Sequence, residues 1–305
     1  MSLQVASTLP ETSLPPVAHT SFLSMVRGEF LKIARVFWLM LTILCAGFIL
    51  AFLLGANAQD SRGYLRHTPL LFLYNSLESN LVIIRILVGI FLLILTSFTI
   101  GREYQYGTIR ILLARGAGRV QLLLAKLTML SLIALALLAA FTLLTIVLTG
   151  CVLLALTGNL NALSTITPAF WSNIGIDLLT VLISMGATIL LATAMNALGR
   201  SLTFGLSASL IWFPLDNMAT LIMNVLAQLT HTDFWLNATS YFLGPLLNRL
   251  PTMLLPVAAR SGFESFGTEP LVPVDATHAL WVIAVYALLF FFVALVPTWK
   301  RDVRE

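Results

Sequence analysis

Six unbroken apolar runs, each about as long as a bilayer is thick, constrain this chain more than any other feature. They lie at about 36–56, 81–100, 124–150, 174–198, 202–226 and 279–298. In lipid every backbone polar group must be satisfied within the protein, so a spanning segment is a helix of about 20 apolar residues or a strand of a closed barrel. Barrel strands alternate apolar and polar residues in segments of ~10. These runs are continuous, so they predict helices. Composition agrees: 59% of residues are hydrophobic and 10% charged, where a soluble domain carries roughly 25% charged. The expected fold class is all-α, a polytopic membrane protein with six transmembrane helices.

The basic residues orient the spans, because Lys and Arg concentrate in cytoplasmic loops. Arg27, Lys32 and Arg35 precede the first span. Arg102, Arg110, Arg115, Arg119 and Lys126 lie between the second and third, Arg200 between the fourth and fifth, and Lys300, Arg301 and Arg304 at the C-terminal end. Only Arg62, Arg66, Arg249 and Arg260 fall on the other side, with Arg85 inside a span. Both termini are expected in the cytoplasm of a multi-pass cell-membrane protein, with 57–80 and 228–278 outside.

The first 20 residues are polar and rich in Pro, Ser and Thr, without the basic start and apolar stretch of a signal peptide. They read as a disordered cytoplasmic tail ahead of one six-helix transmembrane domain, 21–305. Residues 21–35 place Phe22, Val26, Phe30 and Ile33 on one helical face and Ser24, Arg27, Gly28, Lys32 and Arg35 on another. This suits an N-terminal helix lying in the interface. A plain extension of the first span is the alternative. The third run is too long for one bilayer, and Lys126 favours protrusion into the cytoplasm. The fourth and fifth spans are joined by a turn in which Gly199 can adopt the left-handed conformation. The segment from about 228 to 278 is broken by Pro245, Pro251, Pro256, Pro270 and Pro273. It reads as short interfacial or re-entrant helices.

The connection after the second span, GREYQYGTIRILLARGAGRVQLLLAKL, holds much of the positive charge. Thr108 is a good N-cap. Ile109, Leu112 and Leu113 form an apolar stripe beside Arg110 and Arg115, and Gly116 and Gly118 can end the helix. This is a short amphipathic helix at about 104–118, which either docks a partner or rests on lipid headgroups.

Glu103, Tyr104, Gly107, Thr108, Arg110, Leu112, Leu113, Arg115, Leu123 and Lys126 together resemble the corresponding segment in permeases of ATP-binding cassette (ABC) transporters of the type-2 exporter family. An interfacial helix before six spans and an external excursion between the fifth and sixth are also similar to that family. The resemblance implies that 104–118 is a coupling helix. Glu103, Tyr104, Gly107, Thr108, Arg110, Leu112, Leu113 and Arg115 would then contact a separate ABC ATPase subunit. Glu103 would bridge to Arg27 or Lys32, or else be a solvated interface carboxylate. The resemblance further implies a second permease copy or paralogue and transport by alternating access.

No Gly-x-x-x-x-Gly-Lys-Ser/Thr phosphate loop is present, so ATP is expected in the partner and no cofactor in this chain. No nucleic-acid partner is expected. The two cysteines, Cys45 and Cys151, read as small apolar residues, and the four His have no metal-ligand spacing. No catalytic constellation is evident. Arg85, Asp177, Asp216 and Asn217 fall in or near the hydrocarbon, where polar groups default to functional candidates. They could line a substrate path. Alternatively, Arg85 and Asp177 pair near the outer surface, while Asp216 and Asn217 satisfy backbone groups freed by Pro214. The other readings of the whole chain are a non-transporting membrane scaffold with a permease-like fold, and a secondary carrier or intramembrane enzyme.

Overall fold

The computed structural model describes residues 21–58, 65, 67–106, 118–256 and 267–300. The described residues form helices and no strands, and six of the helices are long and apolar enough to cross a membrane. They are α1 (Phe22–Ala58), α2 (Pro69–Tyr106), α3 (Arg119–Thr157), α4 (Pro168–Gly199), α5 (Leu202–Thr230) and, last in the chain, α8 (Ala276–Lys300). A 3-10 turn, Asn161–Thr165, precedes α4. Between α5 and α8 lie α6 (Phe234–Ala238), a 3-10 turn at Thr239–Tyr241, and α7 (Leu243–Leu254).

The first three helices have 37, 38 and 39 residues. At 1.5 Å per residue each reaches about 55–59 Å, well beyond a ~30 Å hydrocarbon core. Two expectations change as a result. Residues 21–35 are no separate interfacial helix: they run unbroken into the first span as α1, because no proline or paired glycine interrupts the backbone ladder. The second helix begins at Pro69, so 69–80 is helix and not connection. Its first turns bury Phe72, Leu73, Ser76, Leu77 and Glu78. Hydropathy finds the lipid-facing part of a helix, whereas the ladder continues through polar turns that pack on protein.

The turn between α4 and α5 also differs in detail. The left-handed residue is Arg200, with φ 48°, and its N–H donates to Asn196 O. Gly199 is needed for space, since a Cβ there would lie 2.0 Å from the Phe204 ring.

The main core lies among α1 to α4, where Phe48, Ile84, Leu92, Leu130, Met129, Val181 and Met185 are almost fully buried. Phe48 meets Phe141 edge-on with ring centroids 5.0 Å apart. A second core joins α4, α7 and α8 through Leu191, Leu243, Leu246, Leu250, Ile283 and Phe290. Lipid is as apolar as leucine, so close packing and polar contacts must hold such helices together. The described buried residues of α5 are Gly205, Ser209, Thr220 and Ala227, all small, which lets its backbone approach its neighbours.

Candidate functional site

Four charges meet where α1, α2 and α3 come together at one end of the bundle. Glu29 and Lys32 lie one turn apart on α1, Glu103 near the end of α2, and Lys126 in the second turn of α3. Lys126 Nζ is 2.5 Å from Glu29 Oε2 and 2.8 Å from Glu103 Oε1. Lys32 Nζ is 2.5 Å from Glu29 Oε1 and 3.3 Å from Glu103 Oε1. Lys126 also donates to the Thr99 carbonyl at 3.4 Å. The side chains of Glu29 and Lys126 are each 4% exposed. Two acids and two bases cancel, which is the condition under which charges tolerate burial.

The carboxylate of Glu103 therefore points into the chain, with Lys32 as one of its two partners and Arg27 not among them. Tyr104, one residue on, places its hydroxyl 3.4 Å from that of Thr298 at the end of α8. Lys126 does not stand in water at a protruding helix end, as its charge suggested, but is 3% exposed. Its interior position follows from having two carboxylates to meet. Glu29 was not legible as a partner, because an acid among basic neighbours on an exposed-looking helix gives no sign of burial. Gly107, Thr108, Arg110, Leu112, Leu113 and Arg115 lie outside the described residues.

A second polar system runs along the contact of α2 and α4, which lie side by side in the same direction. Asn173 Nδ2 donates to the Tyr74 hydroxyl at 3.1 Å, Arg85 Nε to Ser184 Oγ at 3.1 Å, and Asn196 Nδ2 to Ser97 Oγ at 2.9 Å. Each pair is separated by 99 residues. Glu78 and Asp177, at the same offset, are electrostatic neighbours. This register rules out the expected pairing of Arg85 with Asp177. Arg85 lies seven residues beyond Glu78, about 10 Å further along the helix, and faces Ser184. Its Nη2 donates to Asn248 Oδ1 on α7 at 2.9 Å. Asp177 is fully buried, and neither carboxylate oxygen has a hydrogen-bond partner among the described residues.

At the other end of this seam Asn196 is enclosed by glycine. A Cβ on Gly205 would lie 2.1 Å from Asn196 Oδ1, and one on Gly101 would lie 2.4 Å from the same atom and 2.8 Å from Leu202 Cα. No larger residue fits either position without movement.

Asp216 and Asn217 turn toward the excursion. Asp216 accepts a hydrogen bond from Gly244 N at 2.5 Å, capping one of the free N–H groups in the first turn of α7. Asn217 Nδ2 donates to Phe213 O at 2.8 Å, while its Oδ1 accepts from Asn248 Nδ2 at 2.9 Å and from Thr268 Oγ1 at 2.7 Å. Asp216 thus serves a neighbouring helix and not the backbone freed by Pro214. Asn248 was missed from sequence. It receives Arg85 and donates to Asn217 and to the Thr268 carbonyl, and so ties α2, α5 and α7 together. Among the described residues no three His, Cys, Asp or Glu side chains gather in a metal-binding group.

A family model described as "ABC-2 family transporter protein" matches residues 25–212, well over half of the chain. The matched span includes all four charges of the α1–α2–α3 cluster and the whole α2–α4 seam. No curated protein matches the chain.

Proposed function

Because this chain belongs to the ABC-2 family of transporter proteins and is a permease subunit of that type, we propose that it serves an ATP-driven exporter whose energy comes from a separate ATPase subunit. Two permease copies, or this chain and a paralogue, work with two ATPases. ATP binding draws the ATPases together and switches the permeases from inward-open to outward-open. Both termini and residues 102–126 face the cytoplasm.

The observation that carries this reading is the buried charge cluster. It binds α1, α2 and α3 to one another at the end of the bundle from which the 107–117 connection departs. A push on that connection from a docked partner would be delivered to three helices as one body. Helices joined only by leucine contacts in lipid would respond more independently.

The test is co-purification of the full chain with its ATPase in mild detergent. Leu112 and Leu113 supply the apolar stripe of the proposed coupling helix. Changing both to Asp should leave insertion and yield intact while ATPase recovery and transport fall at least tenfold. Each buried apolar side chain contributes roughly 1.5–3 kcal/mol, and a buried unpaired carboxylate costs more still. Normal ATPase recovery at reduced yield would instead mean that the segment rests on lipid, and the coupling assignment would fail.

A further inference from the structure

A trough of about 660 Å³ runs along the outer flank of the bundle between α1 and α3. It exists because Ala136 and Ala140, one turn apart on α3, oppose a stripe of α1 that includes Phe30, Trp38 and Cys45. The two alanines remove the side-chain volume that would otherwise close the gap. From Arg27 to Cys45 the α1 wall has eighteen steps, about 27 Å, enough to hold an acyl chain from headgroup to bilayer centre, about 15 Å. Trp38 is 61% exposed along it.

Among the described residues that line the trough, Arg27 is the one that carries a charge, at the end nearest the charge cluster. The two lysines of that cluster are neutralised by Glu29 and Glu103. Arg27 is exposed and has no anionic partner among the described residues. A guanidinium at the mouth of an apolar trough calls for a ligand with a phosphate at one end and hydrocarbon at the other. We propose that this trough is a binding site for an anionic phospholipid, its phosphate paired with Arg27 and its acyl chain laid against Trp38, Ala136 and Ala140. Only the leaflet involved, the cytoplasmic one, rests on the sidedness proposed above.

Trp38 reports occupancy directly. The full chain is placed in phosphatidylcholine nanodiscs in which about one-fifth of the lipid is brominated, either as phosphatidylglycerol or as phosphatidylcholine. Subtracting the fluorescence of a Trp38→Phe variant isolates the Trp38 signal. Brominated phosphatidylglycerol should quench it several-fold more than brominated phosphatidylcholine. Arg27→Gln should remove that preference, Arg27→Lys should keep part of it, and Ala140→Phe should reduce quenching by either lipid. Equal quenching by both lipids in the parent chain would mean ordinary annular lipid and would overturn the proposal. Absence of quenching by either, with a disulfide formed between Cys45 of two copies, would mean that a second copy fills the trough and would overturn it too. The measurement needs no ATPase, so a failed ATPase pull-down would sink the permease reading and leave this result untouched.

Discussion

Lys126 of α3 donates to Glu29 of α1 at 2.5 Å, with both side chains 4% exposed. Removing one member of such a pair strands the other in a low-dielectric site, which typically costs about 3–5 kcal/mol, far more than removing both. Lys126→Gln should therefore lower the thermal midpoint of the detergent-solubilised protein clearly. Glu29→Gln/Lys126→Gln should recover part of the loss, because Lys32 and Glu103 still face each other. Equal midpoints for the parent and the Lys126→Gln single variant would show that the cluster does not hold the three helices.

The approach of α5 to α4 depends on Gly205 facing Asn196. A methyl group at 205 would meet Asn196 Oδ1 at 2.1 Å, and overpacking of this kind costs about 1–3 kcal/mol. Gly205→Ala should destabilise, and Asn196→Ala in the same chain should relieve the clash. Gly101→Ala should not be rescued in this way, since the new methyl would also meet the Leu202 backbone at 2.8 Å. A double-mutant cycle measures both, and strict additivity for the 205/196 pair would contradict the packing described.

Asn248 holds α7 in place from three sides. Asn248→Leu would leave Arg85 Nη2 without its acceptor, at about 1–3 kcal/mol for an unsatisfied buried group, while Asn217 Oδ1 would keep Thr268 Oγ1. The variant should unfold at lower temperature and expose the excursion to protease sooner than the parent. Unchanged cleavage kinetics would mean that the apolar contacts of α7 suffice alone.

Sidedness can be read with single cysteines in a chain whose Cys45 and Cys151 have been replaced. An impermeant maleimide should label Ser164→Cys, in the 3-10 turn before α4, in intact cells. It should reach Tyr106→Cys, at the end of α2, only after permeabilisation. The reverse pattern would invert the topology that the Lys and Arg distribution implies.

The spans were legible because a bilayer imposes a length and a composition that few other environments demand. Helix ends were less so. Pro69 opens α2 twelve residues before the apolar run becomes continuous, and the turns between are held by packing that no local pattern announces. The polar contacts divide in the same way. Lys32 could be named as a partner for Glu103 because both flank spans on the same side. Glu29, Asn196 and Asn248 could not be named, since each is drawn inward by a partner on another helix, 97, 99 and 163 residues away, that no local pattern announces. Arg85 and Asp177 seemed matched by depth alone, and the register of α2 against α4 sets each opposite something else.

That register limits how the bundle can move. Sliding α4 along α2 by one turn would bring Asn173, Ser184 and Asn196 opposite Leu70, Leu81 and Leu93 in one direction. In the other they would face Glu78, Gly89 and Gly101. The first slip finds three leucines and no acceptor. The second finds two glycines without side chains and leaves only Asn173 with a polar side chain opposite, Glu78. Neither direction offers Ser184 and Asn196 a second side-chain partner, so only the present register satisfies all three polar rungs at once. A motion that keeps these contacts leaves α2 and α4 together and shifts the other helices about them.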